Sequence, residues 1–208
     1  EAEWEKACRG GDPGTHYPWP DDSGQGTNLY LYSIDPVKAN YWDGRYGPLT
    51  SHPGHPWFSE PIRTTPVGYY NGSQVVTNLG TNINWKGADF GQTNDMVNGY
   101  GLYDMAGNVY EWCGDYLATN WYSNAAATKA DPTGPGIGAS FHEQRIFRGG
   151  GFTYYSILTG PDPSVLRCAI RSGEDPARAF SYIGFRVTRR VAGVGAVATA
   201  TNGLALSY

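Results

Sequence analysis

The sequence predicts an α+β domain in which one short helix and several small strands are joined by long irregular loops. Two observations carry this expectation. The chain of 208 residues holds 29 Gly and 14 Pro, residue types that interrupt helices and central strands. Regular patterning is confined to short stretches, with helical spacing over residues 1–7 and strand-like runs near 100–112, 145–148, 165–170 and 182–188. At this length one domain is the default.

Taken in order, residues 1–7 place Trp4 and Ala7 on one helical face, and Gly10-Gly11 stops the helix. No N-cap residue and no start methionine precede it, so the chain reads as a processed form or fragment that opens inside a helix. From 12 to 68, prolines from Pro18 to Pro66 exclude long helix and central strand. Residues 71–98 are polar and rich in Asn and Gly, which reads as loop. Residues 100–112 alternate strand-like pieces with a tight turn, and 116–143 form another loop before the strand at 145–148. Strands are expected again at 165–170 and 182–188. The tail, 191–208, is small, uncharged and β-prone, without a gatekeeper charge. It reads either as a disordered linker or as a strand that joins a sheet edge of this or a neighbouring molecule, making a homo-oligomer.

The net charge is −4 and no Lys/Arg cluster is present, which argues against nucleic acid as a partner. No apolar run reaches membrane-spanning length. The 3 cysteines, Cys8, Cys113 and Cys168, form an odd set, so at least one thiol stays free or pairs between chains. They read as buried thiols acting as small hydrophobes. Asn71-Gly72-Ser73 is a glycosylation sequon with Asn71 as acceptor. Sparse Lys with abundant Tyr, Asn and Gly points to an extracellular or cell-surface setting.

A set of ordered blocks runs through this frame. It begins at 1–11 with Glu-Ala-Glu-Trp-Glu-Lys-Ala-Cys-Arg-Gly-Gly, then Tyr17-Pro18-Trp19, Ala39-Asn40-Tyr41-Trp42-Asp43-Gly44 and Thr64-Thr65-Pro66-Val67-Gly68. It continues with Gly101-Leu102-Tyr103-Asp104-Met105-Ala106-Gly107-Asn108-Val109-Tyr110-Glu111-Trp112 and Arg148-Gly149-Gly150-Gly151-Phe152. Arg167-Cys168-Ala169-Ile170-Arg171-Ser172 and Gly184-Phe185-Arg186-Val187 close it. The set resembles the formylglycine-generating enzyme family, also called the sulfatase-modifying factor domain. The resemblance implies a C-type lectin-like fold of the formylglycine-generating enzyme subtype, with small twisted sheets in a shell of loops. It covers residues 1–190 as the domain, which is expected to lack the family's N-terminal portion, with 191–208 beyond it. Relative to the family, 71–98 reads as an insertion. Many relatives place a cysteine after Gly-Phe-Arg where Val187 stands, so family disulfide partners for Cys8 and Cys168 are expected to be absent.

Two metal chemistries follow from the resemblance. The family binds calcium on the block that here offers the carboxylates of Asp104 and Glu111 and the carbonyls of Gly107 and Val109. A hard cation with six to eight oxygen ligands suits carboxylates on a curled backbone, and Gly107 permits the curl. The alternative is that both carboxylates satisfy buried backbone donors. A second family calcium site nominates Asn40 and the Tyr41 carbonyl, although its remaining acidic ligands are not found before Thr64. Family enzymes also oxidise a substrate cysteine with copper held by two cysteines between the Arg-Gly-Gly and Arg-Cys-Ala blocks. Soft copper(I) requires such thiolates. Residues 151–166 contain no cysteine, and Tyr154 stands near the position of the first. Copper and catalysis are therefore not expected, which makes the chain a pseudoenzyme. His52 and His55 lie close in sequence but read as a solvated loop.

The segment between Arg148 and Arg186 carries Phe152, Tyr154, Tyr155, Phe180 and Tyr182. Tyr with Ser and Gly is the chemistry of adaptable binding surfaces, although part of this set is expected to pack inward. Arg148, Arg167, Arg171 and Arg186 are expected to hold carbonyls and carboxylates such as those of Glu111 or Asp115. The leading expectation is a calcium-stabilised secreted or surface module that binds a protein or glycan. The alternatives are a formylglycine-generating or other redox enzyme, and a self-assembling extracellular subunit.

Overall fold

The computed structural model describes residues 1–19, 38–43, 47–48, 64–77, 89–129, 132–138, 143–152 and 163–188. Helix α1 spans Ala2–Arg9. Glu3 and Glu5 lie in its first turn and Lys6 and Arg9 in its last, the order the helix dipole favours. Gly10 ends it in the left-handed conformation, φ 60°, with its N–H on the Ala7 carbonyl. A Cβ at Gly10 would lie 2.7 Å from the Gly99 nitrogen, so two glycines let the helix end meet the 98–102 turn. Asn98 completes the cap: its Nδ2 donates to the carbonyls of Ala7 at 2.7 Å and Cys8 at 3.3 Å.

Strands β1 (Trp42–Asp43) and β2 (Gly47–Pro48) form one antiparallel pair. Strands β3 (Val75–Thr77) and β4 (Asp89–Gln92) form another. The main sheet contains β5 (Tyr110–Tyr116), β6 (Arg145–Arg148), β7 (Ser172–Glu174) and β8 (Ile183–Phe185), in the order β7-β6-β5-β8. β6 is antiparallel to β5 and β7, whereas β8 runs parallel to β5. Register sets Glu111 opposite Arg148 and Gly184, and Trp112 opposite Phe147 and Phe185. Side chains alternate across a strand, so Glu111, Arg148 and Arg186 share the face toward α1. Tyr110, Trp112 and Phe147 share the other, with edge-to-face ring contacts.

The described core has two clusters. Trp19, Ala39, Tyr41, Tyr70, Met96, Ala106 and Leu166 form one. Cys8, Met105 and Cys168 form the other, with Trp4, Ala7 and Leu102 packed against it.

Several sequence expectations are corrected. Residues 165–170 are not a strand. Pro163–Leu166 is a 3-10 turn, and further turns follow, with Arg167 N–H on the Ser164 carbonyl and Ile170 N–H on that of Arg167. Leu166 and Cys168 are each fully buried. The final strand is shorter than 182–188. The polar 71–98 stretch contributes the β3–β4 pair, because backbone pairing there needs no apolar alternation. β5 extends to Tyr116, and two 3-10 turns, Trp121–Ser123 and Ala125–Thr128, follow it. The cysteines follow the expectation of buried free thiols, with the Cys8 and Cys168 sulfurs facing each other 2.8 Å apart. Tyr154, Tyr155, His52, His55 and the 191–208 tail lie outside the described residues. Among the described residues, no helix is long and apolar enough to cross a membrane.

Candidate functional site

The sequence blocks converge on the loop between Asp104 and Glu111. The backbone curls through left-handed residues, with φ 56° at Asp104, 82° at Gly107 and 64° at Asn108. Asp and Asn tolerate this region better than most residues. Gly107 is required twice, because a Cβ there would also lie 2.5 Å from the Asn40 carbonyl oxygen. That carbonyl accepts the Asn108 N–H at 2.7 Å. The Asn108 side chain then locks onto Thr65, accepting its N–H at 2.9 Å and donating to its carbonyl at 3.1 Å. Gly107 N–H reaches the Gly149 carbonyl at 2.7 Å and Phe152 N–H reaches that of Asn108 at 2.8 Å. Blocks far apart in sequence thus share one hydrogen-bonded hub. Asn40 and Tyr41 belong to it, both buried. Thr65 and Asn108 were not singled out from sequence. The available signal was an Asn in a glycine-turned loop, a residue suited to left-handed backbone and to pairing with a main chain.

The two carboxylates of the loop have different surroundings. Asp104 Oδ2 accepts the Gly68 N–H at 2.6 Å. Burial pushes the Asp104 carboxyl above its usual range and Glu111 adds to the rise, against the opposing pull of the Gly68 bond and Arg186. Glu111 holds Arg186 in a fork, Nη2 to Oε1 at 2.8 Å and Nε to Oε2 at 3.1 Å. Trp4 Nε1 donates to Oε2 at 2.7 Å. Arg186 Nη2 also donates to the carbonyls of Tyr103 at 3.2 Å and Asp104 at 3.0 Å. Asp104 and Glu111 are the carboxylates of this loop that could hold a hard cation, although among the described residues no three His, Cys, Asp or Glu side chains gather at one point. Glu111 would share such an ion with Arg186 and Trp4, since a carboxylate accepts about four bonds.

The other arginines are structural. Arg148 is fully buried and donates through Nη2 to Glu1, to Glu5 at 3.0 Å and to the Tyr122 hydroxyl at 3.2 Å. Its Nη1 reaches the carbonyls of Cys168 at 2.7 Å and Ile170 at 3.3 Å. Arg171 grips the same Glu1 carboxylate at 2.7 and 2.8 Å. Asp115 instead takes the backbone amino group of Glu1.

The aromatic candidates divide. Phe152 is buried, 5% exposed. Phe180 and Tyr182 form a half-buried tilted pair with ring centres 5.1 Å apart, and the Arg178 guanidinium lies 4.9 Å over the Phe180 ring. Tyr182 also meets Tyr110 edge-on. Asn71 is exposed, with its Oδ1 accepting from the Ser73 N–H at 3.0 Å and hydroxyl at 2.5 Å.

Known proteins resemble this chain along most of its length. It is 31% identical over 187 residues to a formylglycine-generating enzyme of Streptomyces coelicolor, covering 89% of this chain and 44% of that protein. It is 29% identical over 191 residues to the serine/threonine-protein kinase Pkn1 of Chlamydia trachomatis serovar L2, covering 92% of this chain and 20% of that protein. The chain therefore spans less than half the length of these relatives. Among solved structures, Treponema denticola variable protein 1 aligns with TM-score 0.43 and 25% identity, covering 88% of this chain and 44% of the other. PvdO from Pseudomonas aeruginosa aligns with TM-score 0.44 and 23% identity, covering 88% and 48%. The sulfatase-modifying factor enzyme 1-like domain model matches residues 1–191, so the chain, an α+β domain of the formylglycine-generating enzyme type, belongs to that family.

Proposed function

We propose that this chain is a non-catalytic, calcium-stabilised binding module of the sulfatase-modifying factor family, acting in a secreted or surface protein. The observation that carries the reading is chemical: residues 151–166, where family oxidases hold copper between two cysteines, contain none. Its own cysteines suit other roles. Cys8 and Cys168 face each other in the core, and burial pushes the Cys113 thiol up to about 11. Soft copper(I) requires thiolates, and buried thiols above the ordinary range supply few of them. Calcium bound by Asp104, the Gly107 and Val109 carbonyls and Glu111 would supply positive charge to the buried Asp104 carboxylate. Asn40 and Tyr41 sit beside that loop as a second candidate group. Phe180 and Tyr182, with Arg178 over the first ring, give the surface on which a protein or glycan would dock. The exposed Asn71 sequon and the Tyr-rich, Lys-poor composition support the extracellular setting.

The test is incubation of the chain with copper(I) and a sulfatase-type peptide. The peptide cysteine is expected to stay intact by mass spectrometry. Aldehyde formed at enzymatic rates would overturn the reading.

A further inference from the structure

Helix α1, the 98–102 turn and the 3-10 turn Trp121–Ser123 together border an open groove of about 400 Å³ on the helix side of the sheet. This is within the roughly 300–1,000 Å³ of small-ligand sites. Its polar lining includes Glu5, Lys6 and Arg9, and its aromatic lining is Tyr100 and Tyr122. Both tyrosines stay open to solvent, 42% and 49% exposed; the Tyr100 backbone and the Tyr122 side chain are tethered. Tyr100 follows the Asn98 side chain, whose Oδ1 accepts the Tyr100 N–H at 3.0 Å and the Leu102 N–H at 3.1 Å. Its ring lies where a Cβ at Gly11 would touch it at 3.4 Å. The Tyr122 hydroxyl accepts from buried Arg148 at 3.2 Å, and Arg171 lies 5.2 Å over its ring. Rigid, exposed aromatic rings lose little entropy when they bind.

The charges of the groove are unevenly satisfied. Glu5 binds Arg9 through Oε1 at 2.8 Å and Arg148 through Oε2 at 3.0 Å. Arg9 also donates to the carbonyls of Pro13, at 3.1 Å, and Thr15. Lys6, an exposed lining residue on the helix, makes no ion pair among the described residues. We propose that this groove is a binding site for a carboxylated sugar such as a uronic acid. The carboxylate pairs with Lys6, and the C–H face of the pyranose lies on Tyr100 or Tyr122. An acidic peptide fits less well. Acidic motifs are captured by clustered arginines, whereas here the lining offers Arg9, already held by Glu5 and by the Pro13 and Thr15 carbonyls, and the backbone of the 98–102 turn is occupied by Asn98.

The site is separate from the Phe180–Tyr182 surface and does not depend on it. Its test is titration of the ¹⁵N-labelled chain with D-glucuronate, D-glucose and a tetraglutamate peptide, in calcium and again in chelator. Shifts for glucuronate should map to residues 5–11, 98–102 and 122, with glucose weaker. Lys6→Gln should weaken glucuronate by about threefold to fivefold, the scale of a solvent-exposed ion pair, and remove the preference over glucose. Tyr100→Ala and Tyr122→Phe, checked for unchanged melting, separate ring from hydroxyl: the first should weaken both sugars and the second neither. Glucuronate shifts that map elsewhere, a Lys6→Gln chain that binds like the parent, or tetraglutamate binding more tightly than glucuronate would each overturn the assignment.

Discussion

Cys8 Sγ and Cys168 Sγ lie 2.8 Å apart in the core, joining helix α1 to the turn that follows Leu166 across a sequence separation of 160 residues. Burial pushes the Cys8 thiol far above its ordinary range, and the neighbouring Cys168 adds to the rise. Neither thiol should react with a thiol reagent in the native chain, whereas all 3 cysteines should react after unfolding. Diamide, a two-electron oxidant that takes both thiol hydrogens, should join Cys8 to Cys168 during refolding, read as a loss of two mass units in a peptide holding both. The joined form should be more stable by up to roughly 5 kcal/mol. Rapid native labelling of Cys8 would contradict the burial.

Asp104→Asn should act in opposite directions with and without calcium. Burial raises the Asp104 carboxyl in the folded chain. The folded state therefore holds the proton to higher pH than the unfolded state, and this group lowers stability as pH rises from about 4 through the folded value. Asn keeps the acceptor for Gly68 N–H and tolerates the left-handed backbone. In chelator at neutral pH the variant should melt above the parent, with a flatter pH profile on the acid side. In calcium it should melt below the parent, because a charged ligand is gone. A variant that melts the same way in both buffers would remove calcium from this loop.

Arg148→Met leaves the Glu1 and Glu5 carboxylates facing a buried gap. Breaking a buried pair from one side costs about 3–5 kcal/mol, and for a chain of this size that lowers the melting temperature by about 10 °C. Arg148→Lys should recover little, since one ammonium cannot reach two carboxylates and the carbonyls of Cys168 and Ile170 together. Thermal melts of both variants check this.

Gly10→Ala should cost more than ordinary left-handed strain of about 1–2 kcal/mol, because the added Cβ meets the Gly99 backbone. Urea midpoints for Gly10→Ala against Gly68→Ala make the comparison. Gly68 shares a positive φ of 70° but has open space at its Cβ.

The parts of this fold legible in the sequence are those with local cause. The Gly10-Gly11 stop of α1 and the strand Arg145–Arg148 follow from backbone freedom and residue pattern within a few positions. Pairings between distant segments left less trace. Ser172–Glu174 carries no apolar alternation, and its strand exists because β6 offers it an edge. The run at 165–170 looks extended, yet it follows the 3-10 turn Pro163–Leu166 and turns again where the Ile170 N–H reaches the Arg167 carbonyl, contacts that spacing does not announce. At the candidate site, the carboxylates and the glycine turn were legible as a motif. An arginine on Glu111 was expected from the blocks and Arg186 supplies it, whereas the Asn108–Thr65 lock was not spelled out by spacing, because it joins blocks that only the fold brings together.

The bond from Arg171 to Glu1 spans 170 residues, and that distance orders events during synthesis. Helix α1 leaves the ribosome well before Arg148 and Arg171, the two arginines that grip Glu1. Until Arg148 and Arg171 arrive, Glu1 lacks both of its arginines, Glu5 has only Arg9, and Cys8 has no facing thiol. An eight-residue helix is marginal in water by itself. The nascent chain therefore gains its native order late and nearly all at once, which makes this a slow-folding topology and makes a truncation before Arg171 costly to the first residues of the chain.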